Sequence, residues 1–334
     1  MEGLKQRIIH HFRQVTQQSY LSIGVEQEFF LLCNDGTPVN HELSQLFIKS
    51  LHHITERGKA IDENIGEYIE YAKDKLGNKI KYDHHPHLFE IETLPFKNIN
   101  KLKEALTGAF ENILTTADQL KVNICFDPIL PFSTSQPEAY SELQFRKNLV
   151  NYRRKLFELR NEDVDEALAN YAAGIISTQI HIGGIAFDQY NDIFPALYEK
   201  EPCILNWTKA KIKSHLPANE VLERRNKVYK KTFSKSPLVC YPSFNWTTDS
   251  WLNALFKTPL FGSAEEYFSG HTLNEFPVLD IMNENEFLYR VRDLQWIKPH
   301  RQGTIEFRSI PALPTIDDIS ELCEIRMNTV KELL

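Results

Sequence analysis

The sequence predicts an α+β fold in which helices cover one face of a mainly antiparallel β-sheet. Several short segments alternate apolar and polar residues with the period of two that is typical of strands. The segment from Asn100 to Lys121 instead carries a broad apolar stripe at helical spacing. Three of the strand patterns also carry two charged residues opposite their apolar residues, which indicates a sheet with one buried face and one polar face.

The composition is that of an ordinary globular protein, and we expect residues 1–334 to form one domain because no repeat or linker interrupts them. The 38 basic and 45 acidic residues give a formal charge of -7, which does not support binding to nucleic acid or to an anionic membrane. The five cysteines are scattered and form no CxxC pair, so the pattern favours a reducing, cytoplasmic location over a disulfide framework. We also find no signal-peptide core and no apolar run long enough to span a membrane.

The first predicted strand, Ile23 to Leu32, follows an amphipathic N-terminal helix and carries the first acidic pair. Because side chains alternate along a strand, Glu26 and Glu28 share one face while Ile23 and Val25 share the other. Two buried carboxylates roughly 7 Å apart would repel each other without a counter-charge. A divalent cation is therefore one expectation for this face, and a simple solvated face is the alternative.

Turn and helix signals follow this strand. Asn34 to Pro38 contains Asp-Gly, which tolerates the positive φ of a tight hairpin turn. The apolar spacing predicts a helix from His41 to Glu56, and Leu76 to Lys79 predicts a turn between short strands. These elements would connect the first strand to a second acidic strand.

The second acidic strand, Leu88 to Leu94, places Glu90 and Glu92 on one face. Three histidines precede it: His84, His85 and His87. Pro86 interrupts these histidines and their spacing differs from the helical HExxH motif, so loop residues are favoured over a zinc site. One of them could help to hold a substrate.

The remaining helices are predicted from apolar spacing and from capping residues. They cover most of Ser135 to Leu168, then Asp188 to Lys213 and Ala218 to Thr232, with a short helix starting at Ser263 and a last one capped by Thr315. Val122 to Phe126 predicts a short buried strand after the helix that ends at Lys121.

A further strand, within Ile175 to Gly184, sends Gln179 and His181 to one face. A hydrogen-bonded structural histidine is one interpretation of His181. The glycines that follow it, Gly183 and Gly184, would let a ligand approach the backbone, which favours a binding site.

The last polar strand lies between Trp296 and Ser309, where Thr304, Glu306 and Arg308 share a face. Carboxylates in this number suit Mg²⁺ or Mn²⁺, which leave coordination positions open for substrate phosphates. Arginines beside them would offset the charge of phosphoryl oxygens during transfer. The polar face of the sheet is therefore expected to hold a divalent metal and substrate phosphates.

Four of these segments occur in an order that resembles the glutamate–cysteine ligase superfamily, and most of all its bacterial type 2 carboxylate–amine ligase branch. The segments are Gly24 to Glu28, Asp83 to Thr93, Ile180 to Ile182 and Gly303 to Arg308. The catalytic fold of that family is shared with glutamine synthetase. The resemblance therefore implies a curved antiparallel sheet with helices on its convex side.

The resemblance also implies an activity, namely ATP-dependent formation of an amide (γ-glutamyl-type) bond. A carboxylate would be phosphorylated to an acyl phosphate, and an amine would then displace the phosphate. The implied cofactors are ATP and Mg²⁺ (or Mn²⁺), and the implied partners are small-molecule carboxylate and amine substrates. A homodimer is expected only by analogy.

Site residues are implied position by position. The implied metal ligands are Glu26, Glu28, Asp83, Glu90 and Glu306. Arg308, His181 and Arg301 are implied as catalytic residues, and His181, Arg308 and Arg225 as nucleotide-binding residues.

The chain departs from the family pattern where substrates would be selected. Lys298-Pro299 stands in place of the usual Arg-Pro, and Ser309 to Pro311 lacks an acidic residue that the family commonly has. The identities of the carboxylate and amine therefore stay open. Two alternatives also remain, a catalytically silent nucleotide-binding relative with a regulatory or partner-binding role, and a metal-dependent hydrolase.

Overall fold

A computed structural model describes residues 2–17, 20–62, 66–83, 85–130, 144–158, 160–169, 174–234, 236–258, 283–291 and 293–334. The described strands are β1 (Ser22–Leu32), β2 (Ile54–Asp62), β3 (Gly66–Asp74), β4 (Lys79–Tyr82), β5 (Leu88–Glu92), β6 (Asn123–Cys125), β7 (Thr178–Gly183), β8 (Val239–Cys240), β9 (Leu294–Gln295), β10 (Ile297–His300) and β11 (Thr304–Phe307). The described helices are α1 (Glu2–Val15), α2 (His41–Ser50), α3 (Ile99–Leu120), α4 (Gln144–Glu158), α5 (Glu166–Ala169), α6 (Tyr190–Lys209), α7 (Ala218–Thr232), α8 (Thr248–Leu255), α9 (Glu284–Arg290) and α10 (Ile316–Leu333).

Nine of these strands form one sheet, which confirms the α+β class with a mainly antiparallel sheet. The strand order is β10-β11-β7-β1-β5-β4-β3-β2, and β6 pairs with the far end of β1. Every pair within this sheet is antiparallel, whereas β8 and β9 form a separate short parallel pair. The longest central strand, β1, is therefore flanked on both sides by strands that carry the predicted polar residues.

The two faces of the sheet differ as the alternation predicts. On β1, Ile23, Val25 and Phe29 are buried in an apolar core that also contains residues of α1, α2, α3, α6 and α10. On the opposite face, Glu26 and Glu28 line a cavity. A smaller apolar cluster, formed by α4, α7, β8 and β9, lies apart from the main core. The helices thus cover one face of the sheet and leave the polar face accessible.

One predicted helix is too long. The segment His41 to Glu56 forms α2 only as far as Ser50, because Leu51 adopts an extended backbone (ψ 136°) and Ile54 already begins β2. β2 pairs with β3 as a long hairpin that the sequence pattern left undefined. The β-branched residues Ile54 and Thr55 favour a strand at this point over a further helical turn.

The other boundaries lie close to the predictions where the structure describes them. α3 and α7 match their predicted ranges to within one residue at each end, and the Thr315 side chain caps α10 by accepting from the Asp318 amide. α6 begins two residues later than predicted, after a 3₁₀ turn at Phe187–Gln189, and it ends at Lys209, before the predicted end at Lys213. Within Ser135 to Leu168, α4 and α5 are separate helices, and residues 131–143 lie outside the described part, as does Ser263.

Turn chemistry also agrees with the prediction. Gly36 and Gly77 both adopt a positive φ, at 84° and 85°, in the two predicted turns. A side chain at Gly77 would in addition collide with Leu94. Among the described helices, none is long and apolar enough to cross a lipid bilayer.

Candidate active site

The polar face of the sheet forms a cavity of about 540 Å³. Its floor is built from strands β1, β4, β5, β7, β10 and β11, and its edge includes Tyr229 of α7 and Leu294 of β9. The strand register places the predicted residues opposite one another across neighbouring strands. Glu28 faces Glu90, and His181 faces both Gly24 and Glu306.

Carboxylates gather at one side of this cavity in two overlapping groups. Their oxygen atoms lie within 4.8 Å of one another in each group. The first group contains Glu26, Glu90 and Glu92, and the second contains Glu28, Asp83 and Glu90. Glu90 belongs to both groups, so four of the five predicted metal ligands lie together with Glu92. We call these five residues the acidic cluster.

Glu28 is held firmly by the adjacent strand. Its carboxylate accepts hydrogen bonds from the amide and hydroxyl of Ser177, at 2.6 and 2.8 Å, and from the Gln179 side chain at 3.0 Å. Burial raises the pKa of Glu28 to about 7, and Asp83 adds to that increase against the opposing hydrogen bonds. The carboxylate is therefore oriented by its neighbours but carries its charge at a cost.

Glu90 lies among the charges of several other carboxylates, because it belongs to both groups. Burial, followed by the charge of Glu26, raises its pKa well above the usual value. Its buried Oε1 atom has no hydrogen-bond partner among the described residues and lies 3.7 Å from the Lys81 ammonium. Lys81 also pairs with Glu92, and although burial lowers the Lys81 pKa, Glu90 and Glu92 together raise it. A buried carboxylate oxygen without a donor, amid other carboxylates, suits a hard divalent cation.

His181 connects the acidic cluster to the next strand. Its Nε2 atom lies 3.1 Å from the Glu26 carboxylate, and its Nδ1 atom lies 3.1 Å from the Thr304 hydroxyl. Burial lowers the His181 pKa, but the charge of Glu26, its hydrogen bond to the ring and the charge of Glu306 together outweigh burial, so the net shift of the pKa is upward. His300 packs edge-on against His181, and burial lowers the His300 pKa to about 4, so this ring is neutral near pH 7.

The opposite side of the cavity is cationic. Glu306 contacts Arg308 at 2.6 Å and Lys298 at 3.1 Å, and it belongs to neither carboxylate group. Burial by itself raises the pKa of Glu306, but Lys298 and Arg308 hold it well below the usual value. Arg301, in the turn between β10 and β11, is exposed and lines the same cavity. We call Lys298, Arg301 and Arg308 the cationic edge; Arg301 and Arg308 line this cavity, whereas Lys298 does not and pairs with Glu306.

Arg225 does not line the cavity. It is buried on α7, donates from Nη2 to the Arg308 carbonyl at 3.2 Å, and lies over the Trp296 ring. Its Nε and Nη1 atoms have no hydrogen-bond partner among the described residues, and burial lowers its pKa. The contact with Arg308 identifies a route by which α7 orients the cationic edge.

A buried ion pair supports the chain directly after Arg308. Arg326 of α10 forms a two-point contact with Glu201 of α6, and Ser309 donates to the same carboxylate. All three side chains are buried. This network places an acidic group from a neighbouring helix, α6, beside Ser309, the residue after Arg308.

Several residues of the site were not assigned from the sequence. Glu92 could have been found by alternation, because it shares a face of β5 with Glu90. Lys298 lies opposite Glu306 only through the pairing of β10 with β11. Lys81 could not be found by alternation, since its position opposite Glu90 depends on how distant strands pair.

Among the described residues, His85 and His87, which precede β5, belong to no group of possible metal ligands. His85 and His87 are buried, with ring centroids 5.8 Å apart, and His87 stacks on Phe30. His85 and His87 therefore lie in the turn before β5, as the prediction of loop residues has it, but their side chains are packed and not exposed. His84 lies outside the described part of the chain.

Comparisons with known proteins add little to this geometry. No protein-family model and no curated protein matches the sequence. Among solved structures, the chain is similar to a bifunctional glutathione synthetase from Pasteurella multocida, with 11% sequence identity and a TM-score of 0.36. The match covers 98% of this chain and 39% of that protein, so the chain spans about two-fifths of its length. A similarity at this level carries no functional argument.

Proposed function

We propose that this protein is an ATP-dependent carboxylate–amine ligase that forms an amide bond through an acyl phosphate. One observation carries the proposal: a single cavity brings five carboxylates together and is also lined by the guanidinium groups of Arg301 and Arg308. A metal-bound triphosphate needs both, because cations must offset its charge and carboxylates must hold those cations.

The acidic cluster is proposed to hold Mg²⁺ or Mn²⁺. The donors are all carboxylate oxygens, and one of them, Glu90 Oε1, is buried without a hydrogen-bond partner in the described structure. Bound Mg²⁺ would supply positive charge beside the phosphates. Glu306 is kept as a predicted ligand, although its carboxylate already pairs with Arg308 and Lys298.

The cationic edge is proposed to bind the anionic reactants. Arg308 and Arg301 face the cavity and are suited to phosphoryl and carboxylate oxygens, which a guanidinium contacts at two points. Arg225 is proposed to act on the nucleotide side through its contact with Arg308. His181 is proposed to orient Glu26 and to contact phosphate at the boundary between the two sides.

The proposed reaction has two steps. A carboxylate oxygen attacks the γ-phosphorus of ATP, and the bond from that phosphorus to the bridging oxygen breaks to release ADP. The amine nitrogen then attacks the acyl carbon, the bond to the phosphate oxygen breaks, and phosphate leaves with a proton from the nitrogen. Much of the rate would come from holding the reacting atoms in line.

We also propose that residues 1–334 act as one catalytic domain with a glutamine synthetase-like sheet. The support is that one sheet takes strands from Ser22 to Phe307, so the site needs both ends of the chain.

A product screen tests the activity. The protein is incubated with ATP, Mg²⁺ and pairs of carboxylates and amines, and mass spectrometry looks for a new amide together with ADP and phosphate. We expect an amide that appears only when all components are present and that is lost in Glu26→Gln. Phosphate release without any amide across the pairs would indicate a hydrolase and contradict the proposal.

A further inference from the structure

The two carboxylate groups of the acidic cluster differ in how closely a positive charge of the chain itself approaches them. Lys81 of β4 lies opposite Glu90 of β5 in the strand register. Its ammonium contacts the Glu92 carboxylate and lies 3.7 Å from Glu90 Oε1. Glu90 and Glu92 are two of the three members of the first group, whose third member is Glu26. The first group is therefore already in contact with a cation.

Lys81 keeps its charge in this position. Burial lowers the pKa of the ammonium, but the charges of Glu90 and Glu92, the hydrogen bond to Glu92 and, to a smaller extent, the charge of Asp83 together raise it above its usual value. The ammonium therefore stays charged near pH 7. The backbone of Lys81 is fixed between β3 and β5, where it pairs with Tyr71 and Glu90.

The second group, which contains Glu28, Asp83 and Glu90, has a different environment. Glu28 is held by Ser177 and Gln179, which are neutral donors. Neutral donors orient a carboxylate without cancelling its charge, and after burial the charge of Asp83 is the next cause of the raised pKa of Glu28. The shared residue Glu90 is 4% exposed, and its Oε1 atom has no hydrogen-bond partner among the described residues. The second group therefore offers a cation more uncompensated charge than the first.

A divalent ion held by the first group would lie beside the Lys81 ammonium. Mg²⁺ binds carboxylate oxygens at about 2.0–2.1 Å. Two of the three carboxylates that would hold it, Glu90 and Glu92, are those that the ammonium approaches. Like charges at such short range repel strongly where burial lowers the effective dielectric constant. An ion in the second group shares only Glu90 with Lys81, so it meets less of this repulsion.

We propose that Lys81 is a built-in counter-ion of the first group, so that the nucleotide-free protein binds one divalent ion tightly, at Glu28, Asp83 and Glu90. Lys81 also lines the cavity, so its ammonium brings a fixed positive charge to the wall that faces the phosphates. It does there what a second metal ion would otherwise do. The inference rests on the proposed ligase function for this contribution to phosphate binding, whereas the number of tightly bound ions does not depend on that function.

Titration with Mn²⁺, followed by electron paramagnetic resonance, counts the tightly bound ions in the nucleotide-free protein. We expect one in the wild-type protein and two in Lys81→Gln, whose second ion should bind at least about tenfold more tightly than any second ion of the wild type. Lys79→Gln is the matched control, because it removes the same charge from the same face of β4 although the Lys79 ammonium lies 4.0 Å from Glu92. It should keep one tight ion. Two tight ions in the wild type or in Lys79→Gln, or one in folded Lys81→Gln, would overturn the proposal.

Two further variants locate the tight ion while Lys81 stays in place. Asp83→Asn removes a ligand of the second group alone, and Glu92→Gln removes a ligand of the first group alone. We expect Asp83→Asn to weaken binding of the tight Mn²⁺ by at least about tenfold more than Glu92→Gln does. An equal loss in the two variants, or a larger loss in Glu92→Gln, would place the ion in the first group and overturn the proposal, even if Lys81→Gln did not fold.

The outcomes separate this inference from the ligase proposal. Amide formation by a wild-type protein that binds two ions tightly would overturn the role of Lys81 and leave the ligase. One tight ion with the expected variant effects, but no nucleotide binding, would leave the role of Lys81 and overturn the ligase. No Mn²⁺ binding by the folded wild-type protein would overturn both.

Discussion

The acidic cluster and the cationic edge place the same residue type in opposite electrostatic environments. Glu90 lies among carboxylates, which add to the effect of burial and raise its pKa well above the usual value. Glu306 is equally buried but lies between Lys298 and Arg308, which hold its pKa well below that value. The two glutamates are only three strands apart in the sheet order.

The opposite pKa shifts of Glu90 and Glu306 indicate which carboxylates lack a counter-charge. At the cationic edge the Glu306 carboxylate already has two cationic partners, Lys298 and Arg308. In the acidic cluster, Lys81 offsets only part of the charge of five carboxylates. The predictions below change one side at a time, so that each side's own response can be measured.

The largest effect is expected for Glu90→Gln, which removes the carboxylate shared by both groups. Loss of an outer partner of a metal site typically costs about 10–100-fold in affinity, and a shared ligand should cost at least the upper value. Titration with Mn²⁺, followed by electron paramagnetic resonance, measures this. Glu70→Gln, on the exposed face of β3, is the control and should bind as wild type does. Unchanged Mn²⁺ affinity in folded Glu90→Gln would contradict the assignment.

Glu306→Gln should lower the free energy of unfolding, whereas Glu90→Gln should not. It leaves Lys298 and Arg308 without their buried counter-charge, and breaking such a pair costs about 3 kcal/mol. Without metal, Glu90→Gln instead removes repulsion and should leave the free energy of unfolding unchanged or higher. Urea unfolding of both variants at pH 7 compares them directly. Equal destabilisation of the two would show that the two sides do not differ as described.

The metal-free protein should lose stability as the pH rises from about 4.5 to about 7. The pKa of Glu28 is raised from 4.5 to about 7, so the folded protein binds this proton more tightly than the unfolded chain does. Its contribution is complete below about pH 4.5 and is lost as the pH passes through about 7, a loss of about 3 kcal/mol. His181, whose pKa is also raised, acts in the same direction.

Thermal unfolding measured across this pH range, with and without Mg²⁺, checks the sign. Mg²⁺ competes with the proton, so the increase in Tm that it causes should grow as the pH rises. Glu28→Gln should flatten the metal-free profile. A profile that keeps its full slope in this variant would exclude Glu28 as the titrating group.

The smallest effect is expected for Arg301→Ala. Because Arg301 is exposed, its removal should change the free energy of unfolding by no more than about 0.5 kcal/mol. Its loss should nevertheless weaken binding of an anionic reactant by up to about tenfold, as for a partly solvated charge contact. Competition with a fluorescent ATP analogue measures this. A loss of stability comparable to that of Glu306→Gln would place Arg301 in the buried network.

The sequence was most informative where the two faces of a strand contrast. In β1, β5 and β7 one face is apolar and the other polar, so alternation alone predicted which side chains share the cavity. It failed between His41 and Glu56, where apolar residues at helical spacing continue past Ser50 although β2 begins at Ile54. Local spacing cannot detect the pairing of β2 with β3 that decides this segment.

Charge balance was less predictable than charge placement. Glu26, Glu90 and Glu306 were all expected on one sheet face, and the register confirms that placement. Lys81 and Lys298 determine which of these glutamates is already paired, and their partners depend on strand register.

Metal-dependent nucleotide binding is the most direct test of the central claim that the acidic cluster holds the metal of a nucleotide site. Isothermal titration of the wild-type protein and of Glu90→Gln with a non-hydrolysable ATP analogue, with Mg²⁺ or with EDTA, measures it. We predict binding by the wild-type protein only with Mg²⁺, and a loss of at least about 100-fold in Glu90→Gln. Binding of equal strength in EDTA, or no binding by the folded wild-type protein, would contradict the claim.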